Sequence, residues 1–164
     1  MSEGLAWFNG LGDDEAQQVL YGCLALRGWA ARVAAGRPYE NVKRLMARVD
    51  AELAKLSDGD WLQAFAAHPR IGERGGHSAA TSEREQSRVM QASDETLTAL
   101  HAENQAYEEK FGHIFLIAAA GRSADEILSE LRARMSNDPA TELEVAAEEQ
   151  RKIARLRVLS MLDR

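Results

Sequence analysis

Ile114-Phe115-Leu116-Ile117-Ala118-Ala119-Ala120, bounded by Gly112 and Gly121, is the one long unbroken apolar run in a chain otherwise patterned for helices. Such a run fits a buried strand or a buried irregular segment, and periodicity does not separate the two. A lone strand leaves its backbone donors and acceptors without a ladder, so a single candidate cannot make a sheet. The run therefore reads as buried, partly helical or extended chain. The fold class follows: an all-α, single-domain bundle of about eight helices.

The flanks agree. Upstream, Ser93-Asp94 opens a helix with Leu97, Leu100, Asn104, Tyr107 and Phe111 on one side and Gly112 as its stop. Downstream, Ser123-x-x-Glu126 is a capping box for a helix carrying Ile127, Leu128, Leu131 and Met135. Asn137-Asp138-Pro139 breaks that helix, and Thr141-x-x-Glu144 opens a last one reaching Leu162, about 30 Å long at 1.5 Å per residue. Toward the N-terminus, Val42, Leu45, Met46, Val49, Leu53 and Leu56 recur at three- and four-residue steps. Ser57 or Asp58 caps the next helix, which should bury Trp61, Leu62 and Phe65. Earlier still, Asp13-Asp14-Glu15 loads acids onto a helix start, and a short helix around Trp29 and Val33 ends at Gly36. The opening Trp7-Phe8-Asn9-Gly10-Leu11-Gly12 reads as apolar chain with turn residues.

At 164 residues the chain is long enough to bury a real core in one domain. Its net charge of −6, with no uninterrupted basic stretch, argues against a nucleic-acid partner. No apolar run has the length of a membrane span, no basic-then-apolar leader opens the chain, and cytoplasm is the expected compartment. The single cysteine, Cys23, rules out an internal disulfide or a cysteine-rich zinc site and should pack beside Leu24 as a small apolar group.

Chemistry gathers around Ala67-His68-Pro69-Arg70-Ile71-Gly72 and its continuation Glu73-Arg74-Gly75-Gly76-His77-Ser78. Pro69 disfavours helix at His68, leaving the imidazole at a helix C-terminus where the dipole favours its charged form. A solvated loop histidine is the plainer alternative. Further on, Ser82 and Glu85 stand in the spacing of a capping box. If the helix is already running there, Ser82, Glu85, Gln86 and Val89 instead share a face, polar toward the His68 loop and apolar beyond it, as a pocket wall would be. Both readings stay open on the residues alone.

Four histidines are present, His68, His77, His101 and His113, and none is spaced for a helical metal pair. A metal held by His68, His77 and Glu85 is one alternative, but no metal is expected. The glycines at 72, 75 and 76 fit no dinucleotide fingerprint, and no Gly-x-Ser-x-Gly elbow is present. What remains is acid–base work by His68 with Glu85 on an anionic substrate. Most arginines in Gln150-Arg151-Lys152-Ile153-Ala154-Arg155-Leu156-Arg157 read as a solvated helix face. Arg157, beside an apolar row, is placed to point inward.

Taken in order, Ala67-His68-Pro69-Arg70-Ile71-Gly72, Ser82-x-x-Glu85-Gln86, Asn104-x-x-Tyr107-x-x-Lys110-Phe111-Gly112-x-x-Phe115 and Lys152-Ile153-x-x-Leu156-Arg157 form one ordered set. With the early Phe8-Asn9-x-Leu11 and Arg37-Pro38-Tyr39, the set resembles the 2-oxo-4-hydroxy-4-carboxy-5-ureidoimidazoline (OHCU) decarboxylases of urate breakdown. His113 departs from the resemblance, since relatives often carry an apolar residue there. The resemblance implies an all-helical, cofactor-free homodimer that converts OHCU to (S)-allantoin. It makes His68 the catalytic acid, Glu85 its partner and Arg157 the grip on a substrate anion. It assigns the pocket lining to Pro69, to Ser82, Glu83, Arg84 and Gln86, and to Ile117, Ala118, Ala119, Ala120 and Gly121. The substrate would serve as its own electron sink. The rival readings are a non-catalytic helical interaction module and a metal-dependent hydrolase of a related hydantoin.

Overall fold

A computed structural model describes residues 2–73 and 79–164. Among the described residues there are nine α-helices, one short 3-10 turn (Val89–Gln91) and no strand. In chain order the helices are α1 (Glu3–Gly10), α2 (Asp13–Cys23), α3 (Arg27–Ala35), α4 (Val42–Leu53), α5 (Asp58–Ala66), α6 (Ala79–Glu85), α7 (Asp94–Phe111), α8 (Ala124–Arg134) and α9 (Pro139–Met161). Of these α1 is unexpected. Its Asn9-Gly10 end reads as a turn in sequence, but Ser2 caps the start by accepting the Leu5 N–H, and Leu5 and Phe8 bury one face. No described helix is long and apolar enough to cross a membrane.

Packing divides the chain into two compact units, Met1–Ala64 with Arg151–Arg164, and Phe65–Gln150. In the first, α3 packs on both α2 and α4. The periodic row of α4 buries Leu45, Met46, Val49 and Leu53 as expected, each contributing roughly 1.5–3 kcal/mol over exposure. Asn41 caps that helix through the Arg44 N–H. Ser57 caps α5 by accepting from the Asp60 N–H, and Asp60 accepts from the Ser57 N–H in return. Leu62 corrects the sequence expectation: Trp61 and Phe65 are buried, but Leu62 is 41% exposed, one position off their stripe.

The early motif residues hold this unit together. Asn9 donates to the Tyr39 carbonyl and accepts its N–H, both at 2.9 Å. The Arg37 guanidinium donates to the carbonyls of Phe8, Leu11 and Ala34 and pairs with Asp13. Tyr39 donates its hydroxyl to the Val33 carbonyl, and burial pushes that hydroxyl's pKa up. Cys23 is buried, as expected for a small apolar side chain.

The second unit has its core in Ile71, Val89, Leu100, Tyr107, Phe115, Ile117, Ala119, Ile127 and Leu131. Here α7 packs against α8. Ser93 caps α7 and Ser123 caps α8, while Gly112 ends α7 at φ 79°, a left-handed conformation that a side chain resists. The last helix starts earlier than its sequence signal. Asp138, not Thr141, is the cap, accepting the Thr141 N–H and hydroxyl, and Pro139 is the first helical residue, where a missing N–H costs nothing.

The apolar run at 114–120 is neither strand nor helix. Phe115, Leu116, Ile117 and Ala119 are buried. The backbone is satisfied instead by side chains: Arg134 donates to the Leu116 carbonyl, Glu149 accepts the Ala118 N–H, and Arg88 donates to the Gly121 carbonyl. Arg134 in turn is held by Glu142, a fully buried carboxylate that also accepts from Tyr107 at 2.5 Å and from Asn137 at 3.0 Å. Burial and the bond to Glu142 keep the Tyr107 hydroxyl far above the usual phenol range, so it stays a donor.

Candidate functional site

His68 lies just past α5, as Pro69 requires, and its N–H still reaches the Phe65 carbonyl at 3.1 Å. The loop that follows is pinned from three directions. Gly72 donates its N–H to the Gln86 side-chain oxygen at 2.8 Å. Asn104 donates to the Ile71 carbonyl at 3.0 Å, and Arg70 forms a two-point pair with Glu108 at 2.6 and 2.9 Å. Gly72 itself sits at φ 90°, a backbone state reserved in practice for glycine. The hydrogen bonds that Arg70 donates to Glu108 raise its pKa, so the guanidinium carries its charge throughout.

The loop is thereby joined to the end of α6. That helix starts at Ala79, three residues before Ser82, so Ser82 is an interior residue and the capping-box reading is corrected. Ser82, Gln86 and Val89 are all buried, with Glu85 half-buried beside them. The shared-face arrangement is the one observed: polar at Ser82, Glu85 and Gln86, apolar at Val89. Glu83 is half-buried, and Arg84 is exposed with a bond back to Thr81. Pro69 is half-buried.

Of the run expected to line the pocket, Ile117 and Ala119 turn their side chains into the core. Ala118 is half-buried, and Ala120 and Gly121 are exposed. His113 stacks among aromatic rings, 5.4 Å from Phe65, 5.6 Å from Tyr107 and 6.2 Å from Phe111, and its Nδ1–H donates to the Ile114 carbonyl. It packs as an aromatic ring. His101 is exposed, near Glu73 at 3.5 Å, and His77 lies outside the described residues, as does the glycine stretch around it.

Two residues of α9 went unnoticed in sequence. Gln150 is fully buried, and its side-chain oxygen stands 2.9 Å from Nε2 of His68. Its neighbour Glu149 takes the Ala118 N–H. The available signal was positional. Positions 142, 146, 150, 153 and 157 step along one buried stripe of α9, and a glutamine on an apolar stripe needs a partner. Arg157, in the other unit, is the last of these. It is only 6% exposed and donates to the Gly22 carbonyl at 3.4 Å. Its neighbours Arg151 and Arg155 face outward, one over the Trp61 ring and the other paired with Asp50.

Residues 9–159 match the family model described as OHCU decarboxylase. The chain belongs to the OHCU decarboxylase family. It is 34% identical over 157 residues to an Arabidopsis thaliana protein named uric acid degradation bifunctional protein TTL, covering 92% of this chain and 47% of that one. It is 30% identical over 138 residues to the Amia calva 2-oxo-4-hydroxy-4-carboxy-5-ureidoimidazoline decarboxylase, covering 81% of this chain and 79% of that one. The chain thus spans about half of the Arabidopsis protein, and 31% of a second bifunctional relative from Bacillus. A solved structure described as OHCU decarboxylase in the presence of (S)-allantoin superposes with a TM-score of 0.78 at 33% identity, covering 93% of this chain and all of that one. A second, of (S)-allantoin synthase, shares the fold at a TM-score of 0.73 and 22% identity.

Proposed function

We propose that this protein decarboxylates OHCU to (S)-allantoin without a cofactor, in urate breakdown. The observation that carries the reading is the Gln86–Gly72 bond, which joins the loop bearing His68 to the helix end bearing Glu85. Family membership and the likeness to a decarboxylase structure described with (S)-allantoin support the choice of substrate.

The chemistry needs no added electron sink. When the C–CO2 bond breaks, its electron pair flows into the adjacent ring C=N, and CO2 leaves. The ring nitrogen that receives the pair takes up a proton, the hydroxyl-bearing carbon becomes a carbonyl as its hydroxyl proton passes to water, and the neighbouring ring carbon takes up a proton from one face, so one proton is consumed for each CO2 released. An enzyme must orient the bond, stabilise the developing charge and supply that proton from a single side. We assign proton delivery to the His68 imidazolium, histidine being the side-chain type suited to general acid work near neutral pH. Glu85 is its partner at the reacting centre, and Arg157 binds a substrate anion. Pro69, the 82–86 segment and the backbone of 117–121 line the site. The protein acts as a cytoplasmic homodimer, which light scattering on a sizing column checks.

The test follows ultraviolet loss of freshly generated OHCU and the chirality of the product by circular dichroism. Accelerated loss with an S-configured product is expected, whereas spontaneous decay gives racemate. Racemic product at the uncatalysed rate would leave a non-catalytic interaction module, and loss of activity in a chelator would point to a metal-dependent hydrolase.

A further inference from the structure

We propose, on the reading of His68 as catalytic acid, that Gln150 is a positioning residue: it reserves the hydrogen on Nε2 of His68 and so makes Nδ1 the nitrogen that delivers the proton. The Gln150 side-chain oxygen is 2.9 Å from Nε2, and Gln150 is fully buried on α9, where helix and packing fix its position. Its own amide nitrogen is buried without an acceptor among the described residues, so the bond to the imidazole is what orients the amide.

The protonation logic follows from the donor inventory. An acid must reach the transition state loaded, and a loaded imidazolium carries hydrogen on both ring nitrogens. Only the oxygen of an amide can face such a ring, since the NH2 end would set donor against donor. Once one proton has been given up, the neutral ring keeps its remaining hydrogen where an acceptor waits, at Nε2. Nδ1 is then the atom that cycles. A neutral amide fixes the tautomer without the added charge that would hold the ring protonated. The carboxylate next door, Glu149, is engaged with the Ala118 N–H.

The experiment uses the full-length protein with 15N-labelled histidine, His68 being assigned from a His68→Asn variant. Wild type should show neutral His68 with hydrogen on Nε2. In Gln150→Leu that preference should disappear, with kcat falling at least tenfold and KM much less affected. Gln150→Glu still accepts from Nε2–H but adds charge, so the His68 titration and the alkaline limb of kcat should move up by about one pH unit. The charged or titratable groups on the neighbouring elements, Arg70, Glu73, Glu85, Glu108, His113 and Glu149, are the same in both variants. Melting curves confirm folding. A purely structural Gln150 would lower the melting temperature while leaving tautomer and pH limb in place, and that result overturns the proposal. So does a wild type with hydrogen on Nδ1. The predicted tautomer in a protein that never turns over OHCU would instead overturn the functional reading, so the two failures are told apart.

Discussion

On the proposed function two side chains, His68 and Glu85, do the chemistry, and the variants that test them separate catalysis from architecture. His68 lies outside any helix, so His68→Ala should keep the melting temperature within a few degrees and lose most of the turnover; near-wild-type rates would remove it from the mechanism. For Glu85→Gln, lost activity with a modest change in stability is expected. Had Glu85 been only a cap partner, its loss would appear in melting and not in kinetics, but Ser82 stands inside α6 and cannot be the cap. Gln86 is a different kind of residue, because its oxygen holds the Gly72 N–H. Gln86→Leu strands that donor and should destabilise by about 1–3 kcal/mol in denaturant melts, with a drop in kcat as the His68 loop loosens. Unchanged stability would show that water replaces the lost acceptor.

Helices and the segment between α7 and α8 carry the next level of the design. The 114–120 run has no regular partner, and its shape depends on groups borrowed from helices. Arg134 at the end of α8 reaches the Leu116 carbonyl and is itself held by Glu142 near the start of α9. Removing one member of so buried a pair leaves an uncompensated charge. Glu142→Leu should therefore cost about 3–5 kcal/mol in chemical denaturation, and more than the loss of the exposed Arg132–Glu103 pair, which is worth at most about 1 kcal/mol. Equal costs for the two would refute the clamp. The ordered motif Asn104, Tyr107, Lys110, Gly112 and Phe115 also finds its meaning here. Asn104 holds the His68 loop, Tyr107 donates to Glu142, Lys110 donates to the Met135 carbonyl, Gly112 turns the chain, and Phe115 lies 4.4 Å under the Arg134 guanidinium.

Across the whole molecule, acid stability follows from a set of carboxylates held below their ordinary range. The Ser57 N–H lowers Asp60, the Thr141 N–H lowers Asp138, and the Arg132 guanidinium lowers Glu103. At Glu52 burial pushes upward, but hydrogen bonds from Lys55 and Arg32 outweigh it and the net shift is down. A folded pKa below the unfolded one means the stabilisation is fully present above the unfolded values of 3.8 and 4.5, and is lost as pH falls through the folded ones. The melting temperature should stay level down to about pH 5 and drop below it, and Asp60→Asn with Asp138→Asn should flatten the drop. A flat curve to pH 3 in wild type would contradict this. Much of the fold was open to sequence reading, because helix periodicity, caps and stop signals are local: α7 and α8 begin or end where Ser93, Gly112 and Ser123 dictate, and α4 buries its periodic row. The sequence offered Ser82 as either cap or helix-interior residue, and the Gln86–Gly72 bond between the two segments came only with the structure. The sequence by itself determined an all-helical chain and the residue types available for acid–base work. Only the tertiary structure decided that Gln150 meets His68, that Glu149 and Arg134 satisfy an irregular backbone, and that Leu62 faces out. Those are contacts between residues as many as 82 positions apart, set by packing, and no short-range pattern encodes them.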